Sequence, residues 1–163
     1  MYAGVLGGND QHADTEGSVI GGVNGNRVYG WQSVVVGGQE RRDSSSYSFI
    51  GGGLGNIIRS GADYATISGG IGDTVAAKYG TIGGGYNNSV TGSEGGTVGG
   101  GYYNLASYFY ATVAGGSANH ADNYGFIGGG ANNMATFDED VVVGGNFNSA
   151  SGGYGFIGGG TQN

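Results

Sequence analysis

Neither cysteine nor proline occurs in this sequence, and only five residues are lysine or arginine. Without cysteine there are no disulfides, thiolate zinc sites or thiol nucleophiles. Without proline, collagen and polyproline helices are excluded, and the glycines do not recur at the period of three that collagen needs. Five cations stand against twelve acids, a formal net charge of −7. That balance argues against nucleic acid and anionic membrane surfaces as partners. No apolar run is long enough to insert in a membrane, and Met1 leads straight into a repeat with no signal peptide. The chain ends mid-unit at an asparagine, so the expectation is a segment of a longer fibre, with any export signal or anchor elsewhere.

What the chain has instead is glycine, 42 residues of 163, too many for an ordinary globular core or a long helix. Disorder is the bland alternative for such a composition. Twelve tyrosines, six phenylalanines and a periodic β-branched column argue against it. Glycine runs follow a β-branched residue throughout, at Val5, Val19, Val35, Ile50, Ile67, Ile82, Val98, Val113, Ile127, Val142 and Ile157. The intervals between these anchors are 14, 16, 15, 17, 15, 16, 15, 14, 15 and 15 residues, so residues 1–163 form one repeat array. Six residues after the anchor stands an asparagine column that includes Asn56, Asn88, Asn104 and Asn133. Three before the anchor stand Tyr47, Tyr64, Tyr79, Tyr110, Tyr124 and Tyr154, with Gly95 and Glu139 in two units. Just before it the residue is Thr66, Thr81, Thr97 and Thr112, or Phe49, Phe126 and Phe156. Residues 1–45 keep anchors and glycines but lose the asparagines, and residues 46–163 repeat regularly.

A unit of fifteen residues has one or two side chains to bury and cannot fold alone. Stacked units can, like residue on like residue, at about 4.8 Å per coil. The expected fold is therefore all-β, a parallel β-solenoid of about ten coils. In "YGTIGG" (79–84) the alternation predicts a strand with Tyr79 and Thr81 facing out and Ile82 facing in. Gly84, Gly100 and Gly129 are expected at the corner, where a Cβ is excluded, with Asn88, Asn104 and Asn133 in the turn beside it. Stacked asparagines are also expected to bond to one another along the ladder.

The run "YGTIGGGYNNSVTGSEGGTVGGGYYNLAS" (79–107) resembles the glycine-rich repeats in YadA-like heads of trimeric autotransporter adhesins, and similar repeats in phage tail fibres. The matching pattern is an apolar–Gly strand end with a later turn, seen at Ile82–Gly83 with Val90 and Gly92, and at Val142–Gly144 with Ala150 and Gly152. The resemblance spans nearly the whole chain, more loosely before residue 45. It implies a left-handed parallel β-roll, three chains side by side. The family unit is fourteen residues, shorter than here, and neck, stalk and anchor are missing from this sequence.

A side-by-side homotrimer also follows from the residues. An outward stripe of Phe49, Tyr64, Tyr79, Tyr110, Tyr124, Phe126, Tyr154 and Phe156 exceeds the apolar patch that a monomer tolerates, and identical rods are its simplest cover. A solvent-facing tyrosine ladder is the alternative. Chemistry is sparse. The glycine runs lack the Gly-Lys-Ser/Thr of a phosphate loop. His12 and His120 share a register seven coils apart, roughly 34 Å at the β rise, too far for one metal. No Ser/His/Asp set is expected to converge, and no cofactor, metal site or enzyme activity is expected. "FDEDVVVGG" (137–145) reads as a solvated bulge or a cation-binding loop tip. "QERRDSSSY" (39–47) is the one positive spot, where Arg41 and Arg42 suit an anionic sugar, or form a solvated turn with Glu40 and Asp43. Trp31 is a candidate sugar platform or end packing. The expected function is attachment. The chain is read as an extracellular segment of a bacterial or viral surface fibre that meets a host receptor, with carbohydrate the candidate ligand. An ice-binding solenoid is the alternative, resting on a threonine column only four long.

Overall fold

The computed structural model describes residues 2–163, and among them there are strands, turns and bends but no helix. Twenty-one strands of two residues each run from β1 (Gly4–Val5) to β21 (Phe156–Ile157). They alternate between two parallel sheets: the odd-numbered strands form one of eleven in chain order, the even-numbered strands one of ten. Each coil thus contributes one strand to each sheet, and a corner turns the chain between them. The all-β parallel solenoid of coils near fifteen residues is present as expected.

Within every strand the second residue points inward. Ile67, Ile82, Val98, Val113 and Ile127 stack in the first sheet, and Val75, Val90, Ala106, Ala121 and Ala135 in the second, all with no exposed surface. Burial of each larger side chain contributes about 1.5–3 kcal/mol, so a long stack compensates for a thin section. One anchor needs correction. Ile20, not Val19, pairs with Val5 and Val35, while Val19 faces out beside Gly4 and Val34. The opening intervals are then 15 and 15, and Asn26 falls six residues after Ile20. The pairing before residue 45 is as regular as after it; the departures there lie in side chains.

The first corner, which each odd strand runs into, is made by the glycines and asparagines. Gly84, Gly100 and Gly129 lie at its bend, the first two with positive φ of 145° and 158° as expected, and the next glycine is left-handed in all three coils. Gly85, Gly101 and Gly130 have φ of 108°, 100° and 86°, where an L side chain is strained. A Cβ on Gly130 would also collide with the carbonyl oxygen of Gly145 in the next coil. At Gly129, by contrast, nothing lies within 4 Å of such a Cβ.

The asparagines serve this corner in a repeated way. Asn104 Nδ2 donates to Gly100 O at 2.9 Å in its own coil and to Gly116 O at 2.9 Å in the next. Its Oδ1 accepts the backbone N–H of Asn119 at 3.0 Å. Asn88, Asn119, Asn133 and Asn148 repeat the set. Most ladder bonds therefore join side chain to backbone rather than amide to amide. All these residues are buried, where an unpartnered backbone group costs about 1–3 kcal/mol.

The second corner, which leads into each odd strand, carries the tyrosines. Tyr79 is not extended, as alternation suggested: its φ is 60°, and Tyr47, Tyr64, Tyr110, Tyr124 and Tyr154 are likewise left-handed. The strand begins two residues later, because Gly80 sits inside against Val75 and Val90 and leaves the tyrosine to make the turn. Left-handed backbone costs about 1–2 kcal/mol. Ring stacking along the column, worth about 0.5–1.5 kcal/mol per pair, offsets much of it.

Replacing Gly130 by Val forces the next coil away and is expected to lower the melting temperature sharply and remove β-sheet circular dichroism. Melting like the parent would mean that this corner does not need a bare backbone.

Candidate functional site

The coil that runs from Val35 to Ile50 departs most from the columns. Arg41 occupies the asparagine position and is 1% exposed, so it is not the surface anion ligand expected of it. Its Nη2 donates to Gly53 O at 2.6 Å, as Asn26 Nδ2 donates to Gly38 O. Its Nε and Nη1 have no partner, and burial lowers its pKa. A guanidinium has no acceptor, so the ladder that passes from Asn26 Oδ1 to Arg41 N–H stops there.

Two residues on, Asp43 occupies an aliphatic position between Val28 and Ile58 and is fully buried. Ser48 Oγ lies 2.6 and 2.7 Å from its two oxygens, and the Ser45 N–H donates to it at 3.1 Å. Burial outweighs these hydrogen bonds and pushes its pKa up to about 6. Ser33 Oγ extends the buried cluster, 3.0 Å from Ser48 Oγ. Asp43 is therefore no partner for a surface arginine, and Glu40 engages Gln39 instead.

The outer face of the second sheet at this level is cationic. Arg27 and Arg42 are cross-strand neighbours, exposed and facing out. Arg27 reaches Asp10 at 4.0 Å, whereas Arg42 lies over the Tyr29 ring at 5.6 Å. Two clefts flank Arg42. One, of about 400 Å³, is lined by Asp10, Arg27, Glu40, Arg41 and Arg42 among others. The other, of about 380 Å³, is lined by Arg42, Ser44, Ile57, Ile58, Arg59 and Ser60. Arg59 was not singled out from sequence. The clustering of four of the five cations at residues 27–59 was the available signal.

The other sequence-picked residues lie on the opposite sheet and its corners. Tyr47 stacks on Tyr64 with centroids 4.8 Å apart, and Tyr64 on Tyr79 at 5.4 Å. Trp31 closes this run edge-on against Tyr47 at 5.2 Å, 41% exposed. Gly95 breaks the column, and a second run pairs Tyr110 with Tyr124 at 5.8 Å. Tyr110 Oη also donates to Glu94 at 3.0 Å. Phe49, Phe126 and Phe156 face out beside these columns. A further aromatic pair, Tyr86 on Tyr102 at 5.2 Å, stands at the glycine corner. It is short, with Leu54 and Ile71 before it and Ser117 after it in the same place, so no long column announced it.

Ser107, His120 and Asp122 do converge, contrary to expectation. Ser107 Oγ is 3.0 Å from His120 Nε2, and Asp122 Oδ1 is 2.9 Å from that same nitrogen. Ser107 Oγ also donates directly to Asp122. A nucleophilic relay uses the two ring nitrogens separately, one for serine and one for carboxylate. This arrangement ties a turn instead. His12 does lie in the column of His120, and among the described residues no group of three metal-ligating side chains forms. The acidic run is not a bulge: its coil keeps fifteen residues from Ile127 to Val142. Asp140 is buried and accepts the Gly155 N–H at 2.7 Å and the Phe137 N–H at 3.1 Å, while Glu139 takes the tyrosine place. Among the described residues no helix is long and apolar enough to cross a membrane.

The chain matches no protein-family model and no curated protein sequence.

Charge on the buried Asp43 opposes folding, since its folded pKa of about 6 lies above the usual 3.8. Its contribution to stability is fully present below about pH 4 and is lost as pH rises through about 6, a difference of about 3 kcal/mol. Asp43→Val is expected to raise the melting temperature at pH 7.5 and flatten its pH dependence. A variant that melts lower there would show the cluster to be stabilising. Arg41→Asn restores an acceptor for the Asn56 N–H and is expected to add about 1–3 kcal/mol in denaturant titration; a loss would mean that the guanidinium is required.

Proposed function

We infer that this chain is a segment of a surface fibre in which identical solenoids associate side by side, three together, and that the assembly mediates attachment to a host surface. The observation that carries the reading is the flank between the two corners of the first sheet. Tyr64, Tyr79, Tyr110 and Tyr124 remain 46–54% exposed in the single chain, and Phe49 and Phe126 38–39%. Stacking within the chain covers ring faces, both of them at Tyr64, and leaves the ring edges open. A stripe of that kind, interrupted only at Gly95 and Glu139, exceeds what monomers expose.

The middle glycines support the same reading. Gly7, Gly22, Gly37, Gly52, Gly69, Gly84, Gly100, Gly115, Gly129, Gly144 and Gly159 fill one column without exception. Yet at Gly7, Gly37 and Gly129 a Cβ would meet nothing within 4 Å and φ is not left-handed. Crowding inside the chain does not account for glycine there, which supports close approach by another chain. The resemblance to YadA-like heads and phage tail-fibre repeats adds the number three and the left-handed roll. It also supports an extracellular position, on a bacterium or a virion. The reading has no catalytic role, since the Ser107 cluster ties a turn, and needs no cofactor.

Thr66, Thr81, Thr97 and Thr112 do pair in register, the one feature that suits ice binding. Phe49 and Phe126 close that ladder at both ends. The flat hydroxyl face is thus four coils tall, against eleven for the flank as a whole.

Light scattering is expected to give three times the chain mass of 16.1 kDa. Tyr79→Ser with Tyr124→Ser should dissociate the assembly and lower its melting temperature, since buried aromatics dominate such interfaces. Gly129→Val should dissociate it while leaving the chain's β-sheet circular dichroism intact. A monomeric parent sinks the reading, and thermal hysteresis in that monomer would put ice binding in its place.

A further inference from the structure

We propose that the outer face of the second sheet around Arg42 and Arg59 is a binding groove for an acidic polysaccharide, one that carries sulfate or carboxylate groups. The proposal deepens the attachment reading and rests on it, but it concerns a different face from the aromatic flank. The chain is acidic overall, so an isolated cationic surface stands out against its own field.

Three observations converge on the cleft between Arg42 and Arg59. First, its lining holds two guanidinium groups, the hydroxyls of Ser44 and Ser60, and the aliphatic Ile57 and Ile58, with no carboxylate among them. Arg42 lies over the Tyr29 ring, and among the described residues neither arginine makes an ion pair. Two guanidinium forks on successive coils, in columns two residues apart because Arg42 pairs with Ile57, offer separate sets of N–H donors suited to bidentate capture of planar or tetrahedral anions.

Second, the cleft sits where the repeat is locally altered. The coil from Ile50 to Ile67 is the longest, with 17 residues. Its extra length lies between the strands, where nine residues separate Ile58 from Ile67 against seven from Val75 to Ile82. That segment, Arg59–Ser60–Gly61–Ala62, turns with a φ of 87° at Gly61, and it carries Ser60 into the cleft lining.

Third, the coil beneath holds a positive charge that the fold does not neutralise. Arg41 is 1% exposed, lines the adjoining cleft, and has two nitrogens without partners. A buried charge in a low-dielectric surrounding acts over distance on the surface above it. Arg41 therefore contributes field rather than contact, and an anion bound outside supplies the counter-charge that the chain lacks. Tyr29, partly exposed, carries Arg42 on its ring face and so holds that guanidinium at the edge of the groove.

The test is surface plasmon resonance of the intact protein over heparin, over a polyuronate and over neutral dextran. Binding to at least one anionic polymer but not to dextran is expected, weakening as salt rises. A preference for heparin assigns the groove to sulfate, and a preference for the polyuronate assigns it to carboxylate. Arg42→Gln with Arg59→Gln should weaken binding roughly tenfold or more, with mass and melting temperature unchanged because both side chains are exposed. Lys78→Gln, a charge change on the other flank, should leave binding as it was. No binding by the parent to either anionic polymer overturns the proposal, as does an equal loss from Lys78→Gln. Either result leaves the assembled mass, and with it the fibre reading, to be judged separately.

Discussion

A coil of this solenoid satisfies few of its own backbone groups. The Thr81 N–H donates to Gly96 O, the Gly83 N–H to Val98 O and the Tyr86 N–H to Gly101 O, all one coil on, and the same pattern recurs along the chain. Parallel pairing at this spacing stacks each residue on its counterpart, so a side chain must suit the same position twice, above and below. Columns of like residues follow from that constraint. So does the two-residue strand, since the ladder needs only enough extended backbone to hold the register, and the corners do the rest.

The corners are where backbone groups run out of ladder partners. At the glycine corner the asparagine side chain replaces them, one amide serving two carbonyls and one N–H. Substitutes in that column show the rule by failing it. Asp73 accepts from Asn88 but has nothing to donate, so its Oδ2 is left without a partner and burial raises its pKa. Arg41 donates but cannot accept. Both residues are buried, where a polar atom without a partner is costly.

Much of this was legible before any coordinates. Period, inward column and glycine corner come from β-branched residues at fixed spacing, which chance does not supply eleven times. The errors have physical sources. In "SVIGG" two β-branched residues precede the glycines, and one step of register decides which is buried. Choosing Val19 hid Asn26 and, with it, the continuity of the early coils. Tyr79 read as extended because alternation does not reveal φ; the clue was Gly80 beside it, needed where Val75 and Val90 leave no room. Arg41 read as a surface ligand because arginine is rarely buried unpaired, although it stands six residues after Val35, as the asparagines do after their anchors. The meeting of Ser107, His120 and Asp122 depends on side-chain rotamers across two coils, which column spacing does not encode.

The coils range from 14 to 17 residues between inward anchors, yet the ladder is unbroken from Gly4 to Ile157. Corners absorb the differences, and neighbours match through columns rather than through coil length. Removing or duplicating one whole unit among the regular coils leaves the new neighbours with the same columns to pair. Such a change alters the rod by about 4.8 Å per unit. The reach of the molecule is therefore a count of coils, and coils added beyond Lys78 lengthen it while leaving the four arginines of residues 27–59 grouped as they are.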